Sequence, residues 1–454
     1  MPVLVLPEKV LYIMESLESS GYEAYAVGGC VRDLVMGRTP HDFDITTSAL
    51  PRQIKQVFTH TVDTGIAHGT VTVLVEGEAF EVTTYRLDGK YEDFRHPSSV
   101  TFTPSLTEDL RRRDFTVNAM AYSPRTGLVD LFGGLQDIRR RIIRCVGEAS
   151  ARFSEDALRI MRAVRFAAML DFSIDEKTAE AAREMACNLQ FVSAERIYAE
   201  LCKLLESDHP RLLEQARRLS ITKVILPEYD EIVNLSAGYG ENCSVSVGTH
   251  TIRTLELIRA DRVLRLTMLL HDMGKVKTAR EAADGKVTYP GHAAESARMA
   301  GEILRRFKAD RKTMDSVKLL IRWHTQMPPR EAPALRRMIA EMGKTYFPLY
   351  LEVKEADILA GNPGKKEEKL AALHAAEKCW ERICSDGDPL TIKELAVTGR
   401  DLIGTGIESG PLLGEILAEM LSRVLEDPAH NTKDYLLEHA QEIQRTVMER
   451  TNRI

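Results

Sequence analysis

Short β-branched or alternating stretches crowd the first part of the chain: AYAV from Ala24, FDITT from Phe43, HGTVTVLV from His68 and AFEVTTY from Ala79. Each is bounded by glycine or polar turn residues, and a period of two predicts strands. After Leu131 such stretches nearly cease. From Glu155 onward the apolar positions recur at steps of three and four, as in SEDALRIMRAVRFAAML (Ser154–Leu170) and RIYAELCKLLE (Arg196–Glu206). That spacing predicts helix after helix. Ser154, followed by two acids, has the chemistry of an N-cap, so a helix is expected to begin there. Breakers near His209, between Leu226 and Gly248, near Gly361 and near Asp386 divide the helical part. The expected fold class is α+β: a small mixed-sheet head over 1–145, then all-α segments over 146–225, 226–360 and 361–454.

Composition changes this picture little. At 454 residues, several packed units are the expectation. Hydrophobic residues make up 44% and charged residues 28%, ordinary values for a globular chain. No run of about eighteen apolar residues predicts a transmembrane helix, and the first residues lack the pattern of a signal peptide. The seven cysteines, at 30, 145, 187, 202, 243, 379 and 384, form no CxxC pair. Scattered thiols of this kind fit a reducing cytoplasm, which is the expected location.

A net charge of −6 argues against a uniformly basic nucleic-acid binder, yet local stripes decide phosphate contact. Arg111 to Arg113, Arg139 to Arg141 with Arg144, and Arg159, Arg162 and Arg165 at helical spacing form three such stripes.

The chemistry starts with GGCVRD, Gly28 to Asp33, between a predicted strand and an apolar helical run. Gly28 and Gly29 let backbone amides approach an anion, and Arg32 adds a fork of donors. Next, HDFDI (41–45) puts Asp42 and Asp44 two apart in a strand-like segment, so both carboxylates face one side. Such a like-charge pair calls for a cation, and hard oxygen ligands beside phosphates suit Mg²⁺. Glu81 in AFEVTTYR is the candidate third acid on a neighbouring strand.

The ordered set GGCVRD, HDFDI, FEVTTYR, RRDFTVNAMAY and EDALRIMRAVRF resembles the class II tRNA nucleotidyltransferases. These form a branch of the DNA polymerase β superfamily that also contains bacterial poly(A) polymerases. The resemblance implies a polymerase-β-like head with Asp42, Asp44 and Glu81 as catalytic acids and Mg²⁺ on Asp42 and Asp44. It implies nucleotide contacts from Gly28, Gly29, Arg32, Arg113 and Asp114. It further implies base selection by protein side chains, here Asp156 and Arg159, with Arg162 and Arg165 nearby. An aspartate acceptor beside an arginine donor matches the mixed edges of cytosine and adenine. Tyr85 to Phe102 resembles the loop that full CCA-adding members need when switching from C to A. The implied activity is addition of CCA to the 3′ end of tRNA from CTP and ATP, with an A-adding enzyme or a poly(A) polymerase as the rival within the class.

ERIYAELCKLL, Glu195 to Leu205, resembles the helix closing the neck of these enzymes. Farther on, His250, His271 and Asp272 in LLHDMGK, His292, His324 and Asp357 follow the order of the HD superfamily of metal-dependent phosphohydrolases. Imidazole and carboxylate ligands suit Mn²⁺, Co²⁺, Ni²⁺ or Fe²⁺ better than Mg²⁺. An HD phosphohydrolase whose head only binds RNA is the rival from another class. The remainder resembles the helical, tRNA-gripping tail of bacterial members.

Overall fold

The computed structural model describes residues 4–89, 100–237, 245–281, 283 and 287–451. It is of the α+β class, with helices dominating and one seven-stranded mixed sheet near the N-terminus. Its strands are β1 (Ala24–Val27), β2 (Asp44–Thr47), β3 (Thr61–Gly65), β4 (Thr70–Val75), β5 (Glu78–Thr84), β8 (Met120–Ser123) and β9 (Gly127–Asp130), with β6 (Arg86–Asp88) and β7 (Val100–Phe102) forming a separate hairpin ladder. The sheet order is β3-β4-β5-β2-β1-β8-β9, antiparallel except where β2 runs parallel to β5.

Alternation gives this sheet two different faces. Ala26, Ile45, Val71, Val73 and Val82 point into a core with Val10, Ile13, Met14 and Leu17 of α1 (Glu8–Ser19) and Ile54 of α3 (Pro51–Val57). Between them in sequence comes α2 (Gly29–Val35), which starts one residue after β1. The other face carries Tyr25, Val27, Tyr85 and Ala121, packed with Leu110 of α4 (Leu106–Arg111). Asp44 and Thr46 alternate with Ile45, so they belong to this second face.

Helices follow: α5 (Gly134–Arg140), α6 (Ala149–Glu155), α7 (Leu158–Leu170), α8 (Glu176–Met185), α9 (Ala194–Leu205) and the short α10 (Leu213–Arg218), α11 (Thr222–Ile225) and α12 (Pro227–Ile232). The helix expected to start at Ser154 does not. Ser154 sits in the last turn of α6 with its hydroxyl on the Ser150 carbonyl, and Asp156 is extended, with φ −139° and ψ 104°. Asp156 ends one helix and its carboxylate accepts from the Leu158 amide at the start of the next. An aspartate just outside a helix satisfies an orphan amide there, so the acid two residues on took the role expected of the serine.

Two compact units emerge, Met1–Glu231 with Arg306–Ala309, and Ile232–Arg305 with Asp310–Ile454. The second begins six residues after the boundary expected at 226. It contains α13 (Val247–Leu257), α14 (Arg262–Leu270), α15 (Lys275–Thr278), α16 (His292–Arg306), α17 (Arg311–Trp323), α18 (Ala332–Met342) and α19 (Phe347–Ala360). Ser246, Asp261 and Asp310 cap α13, α14 and α17 through side-chain oxygens. After α20 (Lys366–Ser385) come α21 (Gly399–Gly404), α22 (Pro411–Glu426), α23 (Lys433–Glu438) and α24 (Ala440–Thr451), around Leu402, Ile416, Met420, Leu436 and Ile443. Of the segment Tyr85–Phe102, residues 90–99 lie outside the described residues, as does Cys243.

Candidate functional site: an acid-lined nucleotidyltransferase head and a buried histidine cluster

Parallel pairing of β2 with β5, Ile45 opposite Val82, sets Asp44 and Glu81 side by side on neighbouring strands. Asp42 lies two residues before Asp44, just ahead of β2. The three acids feel one another: the Asp44 carboxyl is pushed up by the surrounding protein first, Arg113 opposes this, and Asp42 and Glu81 add like-charge repulsion. Three carboxylates repelling at one edge are what a divalent cation relieves, so the donor set fits Mg²⁺.

Gly28, at φ 82°, turns the chain from β1 into α2. A Cβ there would sit 3.1 Å from Arg113 Nη1, tighter than an ordinary contact, and 3.9 Å from Asp44 Oδ2, so glycine is what lets the arginine approach this turn beside the acid. Arg113 Nη2 lies 3.4 Å from Asp109 Oδ2, and its Nε is buried with no protein partner. A buried, unpaired guanidinium nitrogen beside metal-binding acids is chemically matched to a phosphate oxygen.

Other expected contacts are committed to the protein itself. Arg32 is buried, with Nε 2.9 Å from Asp33 Oδ1 and Nη1 2.7 Å from Asn118 Oδ1. Asn118 in turn donates to Asp114 Oδ1 at 3.3 Å. Arg162 Nε donates to Asp114 Oδ2 at 2.7 Å. Burial pushes the Asp114 carboxyl up, but Arg162 and Arg159 outweigh it and hold the group down at about 2. Arg32, Asn118, Asp114 and Arg162 thus form one hydrogen-bonded chain from α2 to α7.

Asp156 and Arg159 do not form the helix-surface pair that their spacing suggests, because Asp156 precedes α7. Asp156 Oδ2 accepts from Arg196 Nη2 of α9 at 2.7 Å, while Arg159 reaches Glu155 Oε2 at 2.5 Å and the Arg112 carbonyl at 3.0 Å. Arg165 shares Glu200 and the Phe166 ring with Arg162, whose Nη1 lies 4.0 Å from Glu200 Oε1. Arg165 is buried, bonds Glu200 Oε2 of α9 at 2.5 Å and lies over the Phe166 ring at 3.7 Å. Its Nε is committed to this interior ion pair, and Nη1 lies 3.2 Å from Met169 Sδ. Spacing alone missed Asp109, Glu200 and the bridging role of Asn118. For Asp109 a signal existed: it stands three and four residues before Arg112 and Arg113, the spacing of helical ion pairs.

In the second unit, six residues from five places in the sequence converge. His250 Nε2 is 3.1 Å from His271 Nε2 and 3.2 Å from Asp357 Oδ1. Around Asp272, Nε2 of His271, His292 and His324 lie at 3.3, 3.4 and 3.9 Å. The Nδ1 atoms of these three histidines face backbone carbonyls of Met268, Tyr289 and Ile321. Donating Nδ1–H there leaves each Nε2 lone pair aimed inward, the orientation of metal-ligating histidines. Two triads meet at Asp272: His250, His271 and Asp272, and Asp272, His292 and His324. Burial lowers His324 to about 3, with His271 adding to it, so His324 is neutral at ordinary pH. Burial opposes ionisation of Asp272, but His271 and Lys275 hold its carboxyl well below the usual range. Lys275 and Lys354, which the sequence did not single out, place ammonium groups 2.8 Å from Asp272 Oδ2 and 3.5 Å from Asp357 Oδ2.

A mixed sheet with Asp44 and Glu81 on adjacent strands, Asp42 just ahead of the first, a glycine turn and an arginine with one unpaired nitrogen defines a nucleotidyltransferase head. Comparison with known proteins agrees. Residues 24–144 match the poly(A) polymerase head domain, 171–233 the probable RNA and SrmB-binding site of polymerase A, and 292–440 the putative tRNA nucleotidyltransferase domain 2. The CCA-adding enzyme of Latilactobacillus sakei is 35% identical over 438 residues, covering 95% of this chain and 97% of that protein. That of Lactiplantibacillus plantarum is 52% identical over 198 residues, covering 44% of this chain and 49% of its own. The crystal structure of the Bacillus stearothermophilus CCA-adding enzyme in complex with CTP superposes with a TM-score of 0.72 at 32% identity, over 98% of this chain and 100% of that one. The Thermotoga maritima CCA-adding enzyme complexed with tRNA, 22% identical with a TM-score of 0.56 over 97% and 96%, shares the fold. The chain belongs to the CCA-adding enzyme family of tRNA nucleotidyltransferases. No helix among the described residues is long and apolar enough to cross a membrane.

Proposed function

We propose that this protein adds CCA to the 3′ end of tRNA from CTP and ATP as a class II enzyme, without a nucleic-acid template. The observation that carries the reading is the meeting of Asp42, Asp44 and Glu81 with the unpaired Arg113 Nε at the Gly28 turn. Mg²⁺ held by Asp42 and Asp44 would supply activation of the primer's 3′-hydroxyl and neutralisation of phosphate charge. The chain's own groups do the rest. The Gly28–Gly29 turn admits the triphosphate and Arg113 grips it. Asp114, kept ionised by Arg162, accepts from a ribose hydroxyl, and Arg32 and Asn118 hold Asp114 in place. Asp156 and Arg159 read the base by exchanging Arg196 and Glu155 for its Watson–Crick edge, since each side chain is already hydrogen-bonded. A mismatched edge would leave buried groups unpaired, costing about 1–3 kcal/mol each. Arg165 supports α7 through Glu200 and stands outside the nucleotide contacts.

In this reading residues 1–145 are the head, 146–225 the neck, 226–360 an HD-type domain and 361–454 a tail that grips tRNA, in a cytoplasmic enzyme. The convergence around Asp272 supports a transition-metal site, Mn²⁺, Co²⁺, Ni²⁺ or Fe²⁺, with phosphohydrolase activity as a second function.

The test offers pure protein tRNAs ending one, two or three nucleotides short of CCA, with CTP alone, ATP alone or both. CTP is expected to extend the shortest acceptor by two residues and ATP to complete it. Failure with CTP would mark an A-adding enzyme, and a long A-tail a poly(A) polymerase. Asp42→Ala should abolish incorporation.

A further inference from the structure

Asp109, in α4, is the most connected buried acid of the head that the proposed chemistry leaves unused. Its side chain is fully inaccessible. Oδ1 accepts from Arg112 Nε at 3.0 Å and Nη2 at 2.7 Å, with the Arg86 amide at 3.4 Å. Oδ2 accepts from Thr46 Oγ1 at 3.2 Å and Arg113 Nη2 at 3.4 Å. Three parts of the head therefore meet on one carboxylate. Thr46 lies on β2, two residues from Asp44 and on the same face. Arg113 carries the unpaired Nε and approaches Gly28 and Asp44. Arg86 begins β6, the first strand of the β6–β7 hairpin.

A buried charge is retained against its desolvation cost only when paired, and two guanidinium groups pair this one. Burial raises the carboxyl, but Arg112 and Arg113 bring it below its ordinary value, so it is ionised and serves as an acceptor on both oxygens. A planar guanidinium held at one nitrogen has its remaining donors fixed in direction. The same carboxylate is tied to the strand that carries Asp44.

We infer that Asp109 is a positioning residue for nucleotide recognition, holding Arg113 in register with the acids of β2 so that its free donor meets the triphosphate. The inference rests on the proposed nucleotidyl transfer and adds a residue to it.

The full-length enzyme with Mg²⁺ tests this. KM and kcat are measured for CTP on tRNA lacking all three nucleotides and for ATP on tRNA lacking only the last. Asp109→Asn keeps the shape and removes the charge. It is expected to raise KM for both nucleotides about tenfold, with kcat within about threefold, as for a lost charge-assisted contact. In an Arg113→Lys background the same change should add nothing, because its effect passes through Arg113. An unchanged KM, or an equal rise in that background, overturns the inference. Should Asp109→Asn fail to fold, Thr46→Val removes the hydroxyl that reaches both Asp109 Oδ2 and the Thr83 carbonyl, each at 3.2 Å, and is expected to raise KM about twofold to threefold, and no change there overturns it as well. A wild-type enzyme that incorporates nothing would instead sink the proposed function.

Discussion

Asp114 and Asp44 are both acids of the head, yet their surroundings push them in opposite directions. Asp114 is buried, but Arg162 and Arg159 more than offset that, bringing it from an ordinary 3.8 to about 2. A carboxyl with a depressed folded-state pKa stabilises the protein above its unfolded value and loses that contribution as pH falls through the folded one. The contribution, about 2 kcal/mol, should be intact above about pH 4 and disappear towards about pH 2. Asp114→Asn should therefore flatten the acid limb of stability measured by urea unfolding in that window. Asp44 is raised instead, by its protein surroundings and by Asp42 and Glu81. Asp44→Asn should melt at or above the wild-type temperature when divalent cations are chelated, yet incorporate nothing. A melting point well below wild type would show that Asp44 is structural.

Helices α7 and α9 are joined by buried charge. Arg165 and Glu200 have side chains 7% and 6% exposed and face each other at 2.5 Å. Removing Arg165 leaves Glu200 with only the more distant Arg162, 4.0 Å away, at a cost of up to about 3–5 kcal/mol, whereas removing both members is far milder. Arg165→Met should lower thermal stability by that amount, and Arg165→Met with Glu200→Gln should recover most of it. Recovery of melting temperature without any gain in nucleotide affinity would confine Arg165 to support. In the second unit, Gly274 precedes α15, and a Cβ there would come within 2.5 Å of the Ser296 amide and 2.6 Å of the His292 carbonyl. Gly274→Ala must push the start of α16 away, at about 1–3 kcal/mol. It should weaken metal binding measured by titration, because His292 is the first residue of that helix.

The nucleotide site and the histidine cluster belong to different compact units, so they should fail separately. A metal that binds the folded cluster at a hundred times its Kd adds about 2.7 kcal/mol of stability. Addition of Mn²⁺ or Ni²⁺ should therefore raise the melting temperature, and chelation should reverse it. His271→Ala should remove this shift and keep CCA addition, whereas Asp42→Ala should do the reverse. Loss of both properties in either variant would contradict two independent sites.

Much of this was legible in the sequence. Strands early and helices late follow from local periods of two and near four, and the motif HDFDI marks the start of β2, with Asp44 its first residue and Asp42 two residues ahead. The six metal-type residues could be picked out by type and order. What local pattern could not determine was pairing between distant elements. Asp156 looked like the helical neighbour of Arg159, but α9 supplies Arg196 to one and Glu155 occupies the other. Arg165 shared its stripe with Arg159 and Arg162, and Glu200 of α9 supplies its ion-pair partner. Asp109 gained its place from β2 and β6, far off in sequence. Backbone periodicity is a property of neighbours along the chain, so the sequence determined which groups exist and which face they leave from. The partner each group meets depends on how elements pack, and only the tertiary structure decided that.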